Sequence, residues 1–174
     1  MSLELARFVR NVPDFPKPGI VFKDLTPMLA DARAFAAAIE ALIAPFRDAG
    51  IERVVGIEAR GFIFGAAAAH ALGAGFVPMR KPGKLPARTL GVDYALEYGK
   101  DRLEMHADAL VRGERVLLVD DVLATGGTLA AAARLCEQAG ASVVGAALVA
   151  EIGILGGRAR WTSDTPLHAV LRFD

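Results

Sequence analysis

The sequence predicts an α/β fold built on a doubly wound, mainly parallel sheet that is flanked by helices. Short runs of branched apolar residues alternate with longer alanine-rich helical patterns through the middle of the chain, as βαβ units do. Several of these runs lead directly into polar loops, and parallel strands carry their binding loops at their carboxyl ends. The chain of 174 residues shows no linker or repeat and fits a single domain over residues 1–174.

Composition narrows the functional classes. The chain has 20 basic and 20 acidic residues, so a formal net charge of zero gives no overall attraction to nucleic acid. The one cysteine, Cys136, excludes an intrachain disulfide, is expected to be buried and inert, and is typical of a reducing, cytoplasmic compartment. Gly61–Met79 carries no formal charge, but its glycines and proline favour a helix and strand of a soluble protein over a membrane span. We therefore expect a cytoplasmic protein without nucleic-acid or membrane partners.

The first elements lie around a proline-rich segment. Phe15–Pro27, FPKPGIVFKDLTP, predicts extended and turn backbone around the apolar stretch Ile20–Phe22. Ala32–Ala44 has apolar residues at helical spacing, and Asp31 is in position to cap that helix.

The central elements follow from the alternating pattern. Buried strands are expected at Val54–Ile57, Phe76–Met79, Val116–Val119 and Val143–Val149, with a short edge strand at His168–Phe173. One helix starts near Gly61, and another follows the third strand until Gly140 stops it. Thr89–Tyr98 and Asp101–His106 alternate around Gly99, which predicts a two-stranded ribbon that forms a flap.

The stretch Arg115–Thr128, RVLLVDDVLATGGT, concentrates the chemistry of the chain. An apolar strand delivers Asp120 and Asp121 to its carboxyl end, and the small, hydroxylated loop Ala124–Thr128 then leads into a helix. Loop N–H groups and a helix N-terminus suit a phosphate, and the two glycines let the backbone approach it closely. No lysine follows the glycines as in a Walker loop, so a monophosphate fits better than a triphosphate. A ribose 5-phosphate would supply this phosphate together with a diol for the carboxylates.

This stretch resembles the phosphoribosyl diphosphate signature of the type I phosphoribosyltransferases. The resemblance implies that Asp120 and Asp121 hold the ribose hydroxyls. It also implies that Val122 contacts the substrate. The 5-phosphate would be cradled by the residues after it: Ala124, Thr125, Gly126, Gly127 and Thr128. The alternative is that the two aspartates are ordinary strand-end polar residues and that Thr128 is an ordinary helix cap.

Two further motifs resemble anion-binding loops of the same family. EARGFIFG, which begins at Glu58, is similar to its diphosphate loop and implies that Arg60 faces the leaving diphosphate, although a plain surface arginine is the alternative. RKPGKLP matches its basic loop, in which the counterparts of Arg80 and Lys84 contact phosphates, sometimes across a dimer interface. A solvated basic turn is the alternative there, and Lys81 is expected to face solvent.

The proline-rich segment resembles the hood of adenine phosphoribosyltransferases, which here would span about residues 1–30. The resemblance implies that backbone near Val21 and Lys23 reads the edge of the base and that Phe22 packs on its face.

The motif LEYGK resembles the mobile lid of the same family, and together with the basic loop it would span about residues 80–106. The resemblance implies that Glu97 lies over the bond being made and that Tyr98 contacts the substrate. Lids of this kind exclude water from a reactive intermediate, and Glu97 is the one acid–base candidate that the motifs offer.

The resemblance as a whole implies a purine salvage reaction in which adenine and 5-phosphoribosyl 1-diphosphate give AMP and diphosphate. It implies Mg²⁺ bound mainly through the substrate and water, and a homodimer. His70, His106 and His168 lie on different predicted elements, so no protein metal cluster is expected. Two alternatives stay open: a transferase for another purine base, such as hypoxanthine or guanine, and a regulator that senses phosphoribosyl diphosphate without catalysis.

Overall fold

The amino-terminal part of the molecule is a hairpin followed by helices. The structure is a computed structural model that describes residues 4–95 and 100–174, and these fall into two compact units that divide between Ala41 and Leu42. The first unit contains a short 3-10 helix (Leu5–Phe8), the antiparallel pair β1 (Arg10–Pro13) and β2 (Val21–Asp24), the helix α1 (Thr26–Ala30) and most of α2 (Ala32–Ile43).

Two expectations for this unit can be compared with the structure. Asp31 Oδ1 accepts hydrogen bonds from the N–H groups of Arg33 and Ala34, at 3.0 and 2.8 Å, so the predicted helix cap is confirmed. The predicted extended and turn backbone around Ile20–Phe22 agrees with the structure, in which the residues from Val21 onwards form a strand, but the pairing of that strand in a hairpin was not predicted. A strand as short as this depends on its pairing partner, which local sequence does not reveal.

The larger unit alternates strands and helices. Its strands and helices are β3 (Arg53–Ile57), α3 (Gly61–Leu72), β4 (Gly75–Met79), β5 (Thr89–Ala95), β6 (Lys100–His106), β7 (Arg115–Leu123), α4 (Gly127–Gln138), β8 (Ser142–Ile152) and β9 (Leu167–Phe173). Short 3-10 helices lie at Ala44–Phe46, Gly153–Leu155 and Gly157–Arg160. Within the described residues, no helix is both long enough and apolar enough to cross a membrane.

A parallel sheet organises this unit. Its strand order is β4-β3-β7-β8-β9, and each neighbouring pair is parallel. The chain first builds outward from β3 to β4 and then returns to place β7 on the other side of β3, so the sheet is doubly wound as predicted. The ribbon of β5 and β6 is antiparallel, and β9 lies at the sheet edge, both as expected.

One strand is longer than its apolar run. A strand was expected over Val116–Val119, but the pairing of β7 with β8 continues to Leu123, which lies opposite Glu151. Asp120 and Asp121 therefore lie within the last residues of β7 rather than after it. Hydrogen bonding to a long neighbouring strand extends β7 beyond the point where apolar residues stop.

The core of the larger unit joins the sheet, α4 and the ribbon. Its buried side chains include Val55, Ile57 and Leu118 from the sheet, Leu129, Leu135 and Cys136 from α4, and Val92, Leu103 and Met105 from the ribbon. Each large apolar side chain buried in this way contributes about 1.5–3 kcal/mol. The thiol of Cys136 is buried as expected, and its burial raises its pKa to about 12. This packing holds the described part of the ribbon against α4.

Candidate active site

Three polar loops meet at the carboxyl edge of the sheet because β4, β3 and β7 are neighbours. Residues 58–60 follow β3, residues 80–84 follow β4, and residues 124–126 follow β7. The winding of the sheet changes direction between β3 and β7, and ligands of open α/β sheets bind at such a switch point. The predicted convergence of these loops is therefore confirmed.

The two adjacent aspartates have different surroundings because neighbouring strand residues point to opposite faces. Asp120 lines a pocket at the end of β7, whereas Asp121 is 6% exposed and its Oδ2 lies 2.6 Å from Arg60 Nε. Among the described residues Asp121 Oδ2 receives no hydrogen bond of good geometry, so Arg60 acts on it mainly through charge. Burial, followed by the charge of Asp121, raises the pKa of Asp120 well above its usual value. Asp120 is thus the member of the pair that lines the pocket, and hydroxyl donors would favour its charged form. The contacts of Asp120 and Asp121 with ribose hydroxyls stay predictions from the sequence.

The loop after β7 encloses a pocket of about 80 Å³. Six of the predicted substrate-contacting residues line it: Asp120, Val122, Ala124, Thr125, Gly126 and Thr128. A single water needs about 10–15 Å³ of such space, so the pocket admits a group of several heavy atoms, such as a phosphate. The helix α4 begins at Gly127, and the free N–H groups and positive end of its dipole lie at this loop.

Backbone contacts fix the shape of this loop. Gly126 has a φ of +79°, a conformation that favours glycine. A Cβ atom on Gly126 would overlap the carbonyl oxygen of Gly157, and a Cβ atom on Gly157 would overlap the carbonyl oxygen of Ala124. The loop and Gly157 therefore pack together at a distance that no larger residue permits at either glycine.

An ion pair that sequence reasoning missed holds the segment of Gly157 in place. Arg158 donates to the buried carboxylate of Glu151 from Nε at 3.1 Å and from Nη2 at 2.5 Å, and Arg158 Nη1 donates to Leu167 O at 2.8 Å. The hydrogen bonds from Arg158 outweigh burial and lower the pKa of Glu151. The sequence did contain a signal for Glu151, because it is an acidic residue at the end of a buried apolar run, as Asp120 is.

A carboxylate from the neighbouring loop holds the basic loop. Glu58 Oε1 accepts hydrogen bonds from Lys84 Nζ at 2.5 Å and from Arg80 Nη2 at 3.4 Å, while Oε2 accepts one from the Lys81 N–H at 2.9 Å. Removal of the carboxylate from water raises its pKa, but the hydrogen bonds from Lys84, Lys81 and Arg80 outweigh this and lower it to about 2. Arg80 and Lys84 are thus brought together, and sequence reasoning did not identify Glu58 as the group that gathers them.

The expectation that Lys81 faces solvent is wrong. Only 35% of its side chain is exposed, and its ammonium group donates to Tyr94 OH at 2.9 Å and pairs with Asp101. Tyr94 OH donates to Asp101 Oδ2 at 3.0 Å and accepts from Thr128 Oγ1 at 3.3 Å. The register of β5 and β6 places Tyr94 opposite Asp101, and local sequence does not determine that register. The network joins the basic loop, the ribbon and the phosphate-sized pocket.

The amino-terminal unit carries the three residues predicted to contact a base, all on β2. Val21 is 52% exposed, and the ring of Phe22 packs edge to face with that of Phe15, with ring centroids 5.2 Å apart. Lys23 Nζ donates to Asn11 Oδ1 at 2.7 Å across the hairpin. Exposed apolar groups beside a packed aromatic pair suit contact with a flat ring. The side chain of Lys23, in contrast, is already engaged within the hairpin.

Glu97 and Tyr98 lie outside the described residues, between 95 and 100. Their assigned roles therefore stay predictions from the sequence.

Comparisons with known proteins agree with this geometry. A model of the phosphoribosyl transferase domain family matches residues 26–161. The chain is 59% identical over 165 residues to an adenine phosphoribosyltransferase of Xanthomonas campestris pv. campestris, which covers 95% of this chain and 89% of the relative. It is 53% identical over 174 residues to one from Bradyrhizobium sp., covering 99% of this chain and 97% of the relative.

Solved structures of similar proteins have the same fold. The adenine phosphoribosyltransferase of Rhodothermus marinus has a TM-score of 0.94 and 54% identity, covering 97% of this chain and 96% of the other. That of Saccharomyces cerevisiae, solved with an imino-altritol bisphosphate and adenine, has a TM-score of 0.90 and 40% identity and covers 97% of each chain. The chain therefore belongs to the phosphoribosyltransferases, and among them to the adenine phosphoribosyltransferase family.

Proposed function

We propose that this protein is an adenine phosphoribosyltransferase, which forms AMP and diphosphate from adenine and 5-phosphoribosyl 1-diphosphate. The observation that carries the proposal is the pocket at the end of β7, where Asp120 and a glycine-rich loop at a helix N-terminus lie together. A ribose 5-phosphate matches both features, since its hydroxyls suit the carboxyl group and its phosphate suits the loop. Relatives that carry the name adenine phosphoribosyltransferase extend the proposal from the sugar phosphate to the base.

The charges around the pocket suit loss of diphosphate from C1 of the ribose. This step leaves positive charge on the sugar and places negative charge on the leaving group. Arg60, Arg80 and Lys84 extend from two loops beside the pocket and would stabilise that negative charge through charge-assisted hydrogen bonds. Asp120 would hold the ribose hydroxyls and stabilise the positive charge on the ring.

The incoming purine nitrogen loses a proton as it bonds to C1. We assign this proton to Glu97 on the basis of the LEYGK motif, with Tyr98 beside it as a substrate contact. Val21, Phe22 and Lys23 of the hood would bind adenine, with the backbone of Val21 and Lys23 reading its edge.

Mg²⁺ belongs to the proposal as an ion carried by the substrate. The described residues contain no group of three or more His, Cys, Asp or Glu side chains that could hold a metal ion. As the resemblance implies, oxygens of phosphoribosyl diphosphate and water would supply most ligands, and the bound ion would neutralise charge on the leaving diphosphate.

A homodimer is also part of the proposal. The basic loop resembles loops that contact phosphates, sometimes across a dimer interface, and on this basis part of each site would be shared. Sedimentation at assay concentration measures the assembly, and an active monomer would contradict it.

The decisive experiment is an assay of the purified protein with labelled phosphoribosyl diphosphate against a panel of free bases. Adenine should be converted far faster than hypoxanthine, guanine or xanthine. A 6-oxopurine as best substrate would remove the adenine assignment and leave the transferase, whereas binding of phosphoribosyl diphosphate without any product would favour a regulator. The high identity to named adenine phosphoribosyltransferases speaks against both alternatives.

A further inference from the structure

Glu58 lies between two loops that would both bind diphosphate in the proposed reaction. Its side chain is 9% exposed, whereas those of Lys84 and Arg80 are 47% and 34% exposed. One carboxylate oxygen is fixed by the Lys81 N–H, and the other faces both cations. A single anion thus engages Lys84 and Arg80, two of the three cations of the basic loop.

We propose that Glu58 is a positioning residue that stands in for diphosphate: it holds Lys84 and Arg80 while the site is empty and is displaced from them when diphosphate binds. The inference rests on the proposed function, because it needs the basic loop to bind the leaving group.

The hydrogen bond from Lys81 makes Glu58 suitable for this role. A backbone N–H does not leave when a ligand arrives, so the carboxylate stays in position while the longer and more exposed side chains of Lys84 and Arg80 exchange partners. Without an anion between them the two cations would repel each other. Glu58 therefore keeps the loop ordered before substrate arrives, which reduces the ordering that binding requires. Its charge must then be displaced from Lys84 and Arg80, and for diphosphate this second effect is the larger.

Displacement has a second effect on the products. Once Lys84 turns to diphosphate, Glu58 is left largely buried and close to a highly charged anion. Free diphosphate has one more ionisable oxygen than the same group esterified in phosphoribosyl diphosphate, so the carboxylate repels the product more strongly than the substrate. Glu58 would thus favour product release.

The test is the affinity for inorganic diphosphate, measured by calorimetry with Mg²⁺ on the full-length protein. Glu58→Gln keeps the size of the side chain and an acceptor for the Lys81 N–H but removes the charge that competes for Lys84 and Arg80. We expect its dissociation constant for diphosphate to fall about 3- to 10-fold, the range for removal of a charge that competes for partly exposed cations. The dissociation constant for phosphoribosyl diphosphate should fall by less.

Glu104→Gln is the matched control. Glu104 accepts a hydrogen bond from the Gly83 N–H at 3.2 Å and pairs with Arg102, so it lies at the same loop with the same charge. No described contact joins its carboxylate to Lys84 or Arg80. Its replacement should change the affinity for diphosphate less than twofold, and an equal gain from both variants would overturn the inference in favour of general charge.

The Glu58→Gln substitution in a Lys84→Met protein distinguishes displacement of Glu58 by diphosphate from structural damage. In Lys84→Met the main cation for which Glu58 and diphosphate compete is gone, so adding Glu58→Gln should tighten diphosphate binding by less than half of its effect in the wild type. An equal effect in both backgrounds, or weaker diphosphate binding by Glu58→Gln alone, would overturn the inference.

If the wild type binds diphosphate and converts adenine but Glu58→Gln changes nothing, only this inference fails. If the wild type binds neither diphosphate nor phosphoribosyl diphosphate, the proposed function fails with it.

Discussion

The phosphate-sized pocket after β7 and the basic loop after β4 are both anion sites, but they are built differently. Backbone forms the first: the loop at Gly126 is packed against Gly157, and the N-terminus of α4 faces it. Side chains form the second: Arg80 and Lys84 are half-exposed and gathered by Glu58.

This difference separates a permanent site from an exchangeable one. Backbone N–H groups at a helix N-terminus present the same donors with or without a ligand, so a group bound there keeps its position. Long cationic side chains can leave one anion for another. A phosphate retained through the reaction suits the first site, and a leaving group suits the second. The predictions below test this contrast, from the largest expected effect to the smallest.

Gly157→Ala should damage the pocket most. The new Cβ atom would overlap the carbonyl oxygen of Ala124 and crowd Gly126, so the loop must move. Displacement of a substrate-positioning group by about 1 Å can cost roughly 10²-fold, and we expect a fall of that size in kcat/KM for phosphoribosyl diphosphate. Gly156→Ala is the control, because Gly156 has a φ of +64° but no atom within 4 Å of a Cβ. It should lose about 1–2 kcal/mol of stability and keep its activity, and equal kcat/KM for both variants would contradict the backbone account.

Arg158→Met should loosen the support of the pocket. Glu151 is 3% exposed and would lose its partner, and breaking a buried ion pair costs about 3–5 kcal/mol. Arg158 is 45% exposed, so we expect about 2 kcal/mol, or a fall in Tm of roughly 4–8 °C.

The pH dependence of this variant follows from the pKa of Glu151. Arg158 lowers that pKa, so the pair stabilises the wild type above the usual glutamate pKa of about 4.3 and less as the pH falls through the lowered value. Without Arg158 burial should raise the pKa of Glu151, and protonation then relieves the cost. The deficit of Arg158→Met should therefore shrink as the pH falls, first above the usual glutamate pKa, where Glu151 of the variant binds a proton, and further as the pH falls through the lowered pKa of the wild type. A deficit independent of pH would show that charge is not its cause.

Tyr94→Phe tests the link between the two regions. Its hydroxyl joins Thr128, beside the pocket, to Lys81 of the basic loop. Loss of this group should lower the free energy of unfolding by about 1 kcal/mol, as expected for a hydrogen-bonded hydroxyl, while the ring still fills its place. Thr128→Val should cost less in the Tyr94→Phe background than in the wild type, and strictly additive effects would mean that the hydroxyl couples nothing.

Glu58→Gln should have the smallest effect on stability, because Lys84 and Arg80 are partly exposed and water can replace the carboxylate as their partner. The pKa of Glu58 is lowered to about 2 from the usual 4.5, so its charge stabilises the folded state above pH 4.5 and this contribution is lost as the pH falls toward 2. Denaturant unfolding at pH 7, 4.5 and 3 should show a wild-type loss below pH 4.5 that the variant partly lacks. Parallel pH profiles would mean that the basic loop draws no stability from this carboxylate.

Much of the site followed from local sequence because its parts are contiguous. The apolar run before Asp120, the small loop and the helix after it are adjacent in the chain, so their pattern predicts a strand, a phosphate-binding loop and a helix N-terminus without knowledge of distant contacts. The loops at Arg60 and Arg80 also follow apolar runs. Parallel strands then bring their ends to one edge of the sheet.

Only the tertiary structure decided which charged groups meet. Lys84 lies 26 residues from Glu58, and Lys81 pairs with Asp101 although its position in a basic motif predicted exposure to solvent. Asp120 and Asp121 are adjacent and chemically identical, yet one lines the pocket and the other pairs with Arg60. Backbone conformation and apolar periodicity depend mainly on near neighbours and can be predicted from the sequence. The partner and the pKa of a charged side chain depend on strand order, register and burial, which arise only when distant segments pack together.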